Sequence, residues 1–329
     1  MRSVRVVTWP ELSEAERASL PAVHVLDGGP IWDEAFLRRV HRGRNPFVDY
    51  HAVYAVEKDE VLGFVQVIRT PFRFLGAPRS ETVAGLDYVV VRPDALRRGL
   101  ASRLIQAVHR RERSEGIRWV LLSTRRSWGA HRLYEKLGYR DVYSPVSVLR
   151  ETSAGSDRRL GRGYRTRRAR AQDASELERL LRESERGRSG FVPRTPGSFS
   201  WRFRHEWARP RDHLLLLHQG RAVGYARVLL TPRALTADEV VVAGPNHALP
   251  MLLLLEREAR GRWLLLQRTT FASDLRGELL ARGYRFHPLA HATLMACPIA
   301  PGLRGSGAFA PWQATFRDPS FVMHAGDWF

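Results

Sequence analysis

The chain repeats itself at the length of a domain. Gly116-Ile117-Arg118-Trp119-Val120-Leu121-Leu122-Ser123 is echoed by Gly261-Arg262-Trp263-Leu264-Leu265-Leu266-Gln267. Each run is followed by the same triplet, Gly138-Tyr139-Arg140 and Gly283-Tyr284-Arg285. Upstream, Asp87-Tyr88-Val89-Val90-Val91 has a counterpart in Asp238-Glu239-Val240-Val241-Val242. This offset implies two copies of one folding unit rather than a solenoid. In each half the pattern reads as an opening strand, one or two helices, and a hairpin (Ala52 to Ile68; Leu214 to Leu230, turning at Gln219-Gly220). A strand, a helix, a strand, a helix and closing strands follow. The expected division is residues 1–150, a linker at 151–163 rich in Gly, Ser and charge, a second unit at 164–299, and an aromatic-rich tail at 300–329.

The halves differ at one segment. Val89, Val90 and Val91 are β-branched and favour a strand; Pro93 and Asp94 stop it. Leu100, Ala101, Leu104, Ile105 and Val108 then recur at helical spacing. Gly99 lets the intervening turn approach a ligand closely. The first N–H groups of a helix have no internal partner, and with the helix dipole they form a seat for a pyrophosphate. After Val242 the second half has no comparable loop.

Leu96-Arg97-Arg98-Gly99-Leu100-Ala101 resembles motif A of the GNAT superfamily of N-acetyltransferases, (Gln/Arg)-x-x-Gly-x-(Gly/Ala), with Leu96 in the Gln/Arg slot. Ser127-Trp128-Gly129-Ala130-His131-Arg132-Leu133-Tyr134-Glu135-Lys136-Leu137-Gly138-Tyr139 resembles motif B of the same family, with Ser127 in the usual Asn slot and Gly138 as the helix C-cap. The resemblance implies an α+β, three-layer fold: two tandem GNAT-like domains, each a mixed, mainly antiparallel twisted sheet flanked by helices. It also implies acetyl-CoA as co-substrate, no metal, and direct attack of a primary amine on the thioester in the first domain. Val89, Val90, Val91, Leu96, Arg97, Arg98, Gly99, Leu100, Ala101, Ser102 and Ser127 are the implied cofactor contacts. Tyr134 is the implied proton donor to the departing thiolate, and the end of the Val89–Val91 strand an N–H donor to the oxyanion. The second domain has Leu279 in the place of Tyr134 and is expected to have lost cofactor binding.

The general base is less fixed. Strand alternation places Val83, Gly85, Asp87 and Val89 on one face, which makes Asp87 the first candidate. Glu81 and the terminal carboxylate of Phe329 are alternatives. Acceptor residues are expected among Trp32, Phe36, Tyr50, Phe72 and Phe74. The acceptor is a small-molecule amine or a peptide amine.

Composition narrows the remaining classes. The net charge is +19, yet Lys58 and Lys136 are the only lysines. The arginine excess is spread over both halves, which argues against a dedicated nucleic-acid binder. One cluster, Arg158 to Arg170, leaves that reading as a minor alternative. No apolar run approaches the ~20 residues of a membrane helix, and no signal-peptide pattern opens the chain. Cys297 is the only cysteine, which points to a cytoplasmic protein. The scattered histidines form no metal motif. Nothing specifies a dimer, so monomer and homodimer both stand. The alternative function is a catalytically dead CoA-binding or structural module.

Overall fold

The computed structural model describes residues 4–23, 49–153, 160–184, 186, 188–191, 196–205, 209–267, 275–288, 292–303 and 305–317. The first half runs β1 (Arg5–Thr8), α1 (Glu14–Val23), β2 (Asp49–Glu57), β3 (Glu60–Arg73), β4 (Glu81–Val91), α2 (Leu100–Ser114), β5 (Trp119–Arg125), α3 (Gly129–Lys136), β6 (Arg140–Tyr143) and β7 (Val146–Glu151). The second runs β8 (Tyr164–Arg168), α4 (Ala174–Ser184), β9 (Gly190–Phe191), α5 (Ser198–His205), β10 (His213–His218), β11 (Arg221–Leu230), β12 (Ala234–Val242), α6 (Ala248–Glu258), β13 (Trp263–Gln267), α7 (Arg276–Ala281), β14 (Arg285–Pro288), β15 (Ala292–Pro298) and α8 (Ala310–Arg317).

Both expected hairpins form. β2 and β3 turn at Lys58-Asp59 (φ 50° and 63°), and β10 and β11 at Gln219-Gly220 (φ 51° and 81°). Two positive φ angles in succession match the twist of the flanking strands. Each sheet is antiparallel except at one pair, β4–β5 in the first and β12–β13 in the second.

The sheets do not divide where the sequence does. The first sheet has the order β1-β2-β3-β4-β5-β15-β6, and the second β14-β7-β13-β12-β11-β10-β8. The last strand of the second half therefore lies between β5 and β6, with Leu121 opposite Ala296. The last strand of the first half lies between β13 and β14, with Leu149 opposite Leu265. Each half lends the other its closing strand.

On one face of the first sheet, Val53, Val65, Val67, Leu86, Val120 and Leu122 pack against Leu104, Ile105 and Val108 of α2. The recurrence of those α2 residues at helical spacing makes that burial possible. Glu112, fully buried, fixes α2 to the sheet: Arg69 Nε lies 2.8 Å and His51 Nε2 3.0 Å from its carboxylate. The opposite face is covered at one end by Leu20 and Val23 of α1 and at the other by Trp312 and Phe316 of α8. The described part of the aromatic tail is thus packed on the body.

Two expectations are corrected here. Phe72 and Phe74 do not line a pocket: both are buried, with ring centroids 4.6 Å from Trp312. Strict alternation along β4 also fails. Val65 pairs with Val89 but Val67 pairs with Leu86, so Asp87 and Tyr88 together oppose Gln66 in a β-bulge. Val83 and Val89 consequently pack on opposite faces, in different core clusters. Trp32, Phe36 and Phe329 lie outside the described residues.

No helix among the described residues is long and apolar enough to cross a membrane. None of their His, Cys, Asp and Glu side chains form a group of three able to hold a metal.

Candidate active site

Parallel strands β4 and β5 pair only at Ala84–Leu86 against Val120–Leu122. Beyond Leu86, β4 continues to Val91 on β3 alone, with Val89, Val90 and Val91 opposite Val65, Phe64 and Gly63. The β5-facing backbone groups there are open, and the two strands splay. Gly63 is required for the close pairing: a Cβ would sit 2.5 Å from the Val90 carbonyl oxygen.

At the mouth of the splay the chain turns through Pro93–Ala95 into α2. Arg97 (φ 62°) and Gly99 (φ 74°) are both left-handed, and Gly99 is the N-cap. The Leu96 N–H is spent on the Pro93 carbonyl, and Leu96 itself is 55% exposed. The N–H groups of Arg97, Arg98, Gly99, Leu100, Ala101 and Ser102 donate to no acceptor among the described residues. Successive free amides with the positive end of a 15-residue helix behind them form an anion cradle of the kind that receives phosphate groups. Arg98 is held by Glu57 at 2.8 Å, whereas Arg97 makes no ion pair among the described residues. The residues present therefore fit CoA.

Across the splay, Ser127 sits in the turn before α3, and Trp128, 54% exposed, is the helix N-cap. Arg125 stacks over the Trp128 ring at 5.1 Å. Tyr134 on α3 is buried beside Tyr139 (ring centroids 5.8 Å), and burial pushes its phenol up to about 12. It makes no hydrogen bond among the described residues, so its proton is available and retained at neutral pH.

Asp87 lies in the bulge on the other side of the sheet from α2. It has no hydrogen bond or ion pair among the described residues, and burial pushes its carboxyl up to about 7. Of its two polar neighbours, Gln66 was not anticipated as part of a site, whereas Tyr50 was among the expected acceptor residues. Gln66, facing the bulge, is 1% exposed with Nε2 unbonded. The buried Tyr50 hydroxyl is also unbonded, and its phenol is raised by burial and by Asp87. Aligning the two halves along the repeat would have singled out Gln66, because Arg227 stands in its place in the second half. Glu81 lies at the far end of β4, and burial raises its carboxyl against the opposing pull of Arg118, 3.5 Å away. The clefts beneath α8, one of about 760 Å³ lined by Gly138, Cys297 and Phe309, lie on the β6–β15 side and not at the splay.

In the second half the loop corresponding to residues 92–99 is shortened to 243–247. His247 there accepts or donates at 2.9 Å to Tyr164, and His218 lies against the Tyr164 ring. Pro250 removes an N–H from the first turn of α6. Among the described residues of the second half, no amide cradle like that of α2 forms.

Residues 49–141 match the acetyltransferase (GNAT) domain family, and the two sheets together have the fold of a tandem GNAT protein. Solved structures with the same fold include a probable N-acyltransferase from Enterococcus faecalis V583 (13% identity, TM-score 0.66, covering 90% of this chain and 73% of that one). A GCN5-related N-acetyltransferase from Kribbella flavida is similar (21%, TM-score 0.62, 90% and 72%). So is a tandem GNAT protein from the clavulanic acid biosynthesis pathway (15%, TM-score 0.55, 91% and 100%). No curated protein matches the chain in sequence.

Proposed function

We propose that the chain is an acetyl-CoA-dependent N-acetyltransferase acting on a primary amine, with the reaction confined to the first GNAT domain. The observation that carries this reading is the run of free amides from Arg97 to Ser102 at the open end of the β4–β5 splay. On this reading residues 1–150 supply the reacting site, and residues 164–299 support it through the exchanged strands. A single buried cysteine suits a reducing cytoplasm.

Bound in the splay, acetyl-CoA supplies an activated thioester carbonyl. Arg97 and the cradle amides hold its phosphates. Asp87, as carboxylate, takes one proton from the incoming ammonium and leaves a neutral amine. In a dehydrated site the neutral acid and neutral amine are favoured over the ion pair. The open N–H groups of Val89–Val91 face the carbonyl oxygen that gains charge. As the N–C bond forms and the C–S bond breaks, the Tyr134 hydroxyl gives the sulfur its proton. Tyr134 recovers it from the second proton shed by nitrogen, through water.

Calorimetric titration with acetyl-CoA, CoA and ATP, on wild type and Gly99→Glu, tests the reading. Saturable binding of acetyl-CoA that the variant abolishes is the expected result. A folded wild type that binds none of the three would leave a structural module.

A further inference from the structure

The second half is an internal template for what the first half's bulge receives. Both sheets carry a bulge at the same register: Phe64 pairs with Val90 as Tyr225 pairs with Val241, and Val67 with Leu86 as Val228 with Ala237. Asp87 thus corresponds to Asp238, Tyr88 to Glu239, and Gln66 to Arg227.

In the second half this face carries its own cations. Arg227 Nη2 lies 2.7 Å from the Asp238 carboxylate. Arg202, on α5 and nearly fully buried, reaches to 3.9 Å from Glu239 with its guanidinium 4.9 Å over Phe199. Tyr225 donates to Glu239 at 2.6 Å. Acid at the bulge is matched by cation, as burial of charge requires.

The first half keeps the acid and lacks that match. Gln66 brings no charge, and three polar groups gather on one face: the Asp87 carboxyl, with burial as the one cause acting on it, and the Gln66 Nε2 and Tyr50 hydroxyl, both without a partner among the described residues. Buried polar groups of this kind are normally satisfied. A carboxylate calls for a cation, and an amide N–H and a phenol O–H call for a lone pair. We propose that this polar face of the bulge is the acceptor site, and that it takes a primary ammonium with a hydroxyl or carbonyl oxygen close by, the ammonium on Asp87 and the oxygen between Gln66 and Tyr50. This rests on the acetyltransferase reading above. Gln66 and Tyr50 are then positioning residues that discriminate an amino alcohol from a plain amine.

The test uses the full chain and three probes: 2-amino-1-phenylethanol, phenethylamine, which lacks the oxygen, and 1-phenyl-1,2-ethanediol, which lacks the charge. Affinities are read by calorimetry with and without saturating acetyl-CoA. The amino alcohol is expected to bind tightest and the diol not at all. Gln66→Arg, which installs the second half's cation, should weaken the amino alcohol on the order of thirtyfold or more without changing acetyl-CoA affinity. Gln66→Leu, a milder change that guards against misfolding, should reduce the amino alcohol to the affinity of phenethylamine. Equal binding of the diol, no binding of any probe, or unchanged affinity in folded Gln66→Arg each overturns the proposal. Loss of acetyl-CoA binding in wild type overturns the acetyltransferase reading instead, and the probe ranking measured without it still judges the acceptor proposal.

Discussion

Arg227 lies 2.7 Å from Asp238, and at the matching bulge the residue opposite Asp87 is the neutral Gln66. The same acid in the same backbone setting is therefore ion-paired in one half, where burial still raises its carboxyl against the pull of Arg227, and left to burial alone in the other. Asp87 rises to about 7 from an ordinary 3.8 with burial as its cause.

This has a signed consequence for pH. As a base, Asp87 works only when ionised, so kcat/KM should rise about tenfold per pH unit up to about 7 and then level off. Stability runs the other way. A carboxyl raised in the folded state holds its proton better there than in the unfolded chain, so its contribution is complete below about pH 4 and is lost as pH climbs through about 7. Asp87→Asn should lose the acidic limb of the rate profile. It should also be more stable than wild type at pH 8, by about 1–3 kcal/mol, and no more stable at pH 4. Denaturant titrations at the two pH values check this; an equal difference at both would mean that Asp87 does not titrate in this range.

Tyr134→Phe isolates the proton donor. The hydroxyl has no partner among the described residues, so its removal breaks no bond and keeps the ring against Tyr139. We expect kcat for thiol release to fall on the order of a hundredfold with acetyl-CoA affinity unchanged. A matching loss of affinity would assign Tyr134 to binding rather than proton transfer.

The sequence carried the tandem architecture and the hairpins because these are local patterns. β-branched runs, helical spacing and turn residues act within a few positions. The cofactor loop was legible for the same reason: Gly99 and the start of α2 are contiguous. The bulge at Asp87 was not, since it is a property of register against β3, and period-two alternation along β4 alone gives Val89 the wrong face. Phe72 and Phe74 were misplaced for want of Trp312, which covers them from the far end of the chain. That Gln66 stands opposite Asp87 follows from the same register between β3 and β4, which no pattern within either strand encodes.

Trp312 gives the tail a measurable role. It is fully buried among Phe72, Phe74, Trp119 and Phe316, with ring centroids 4.6 to 5.6 Å away. Trp312→Ala should cost about 3–5 kcal/mol, read as a lower denaturant midpoint at unchanged slope. A cost below about 1 kcal/mol would show that α8 does not hold this face in solution.

The exchanged strands make the last prediction. Without β15, the described first half has nothing between β5 and β6: Val120, Leu121, Leu122 and Ser123 would lose the partners that Cys297, Ala296, Met295 and Leu294 provide. Two strand edges would open beside an apolar core, which exposes both hydrogen-bonding groups and hydrophobic surface. The second half has the mirror problem without β7, whose Ser147, Val148 and Leu149 join β13 to β14. The two GNAT units should therefore unfold together, in one cooperative transition, despite the linker between them. Residues 1–153 expressed alone should fail to fold as a monomer, and should recover a folded state when co-expressed with residues 154–329. Two separate calorimetric transitions in the full chain, or a monomeric fragment 1–153 with dispersed amide resonances, would show that the closing strands are dispensable to each sheet.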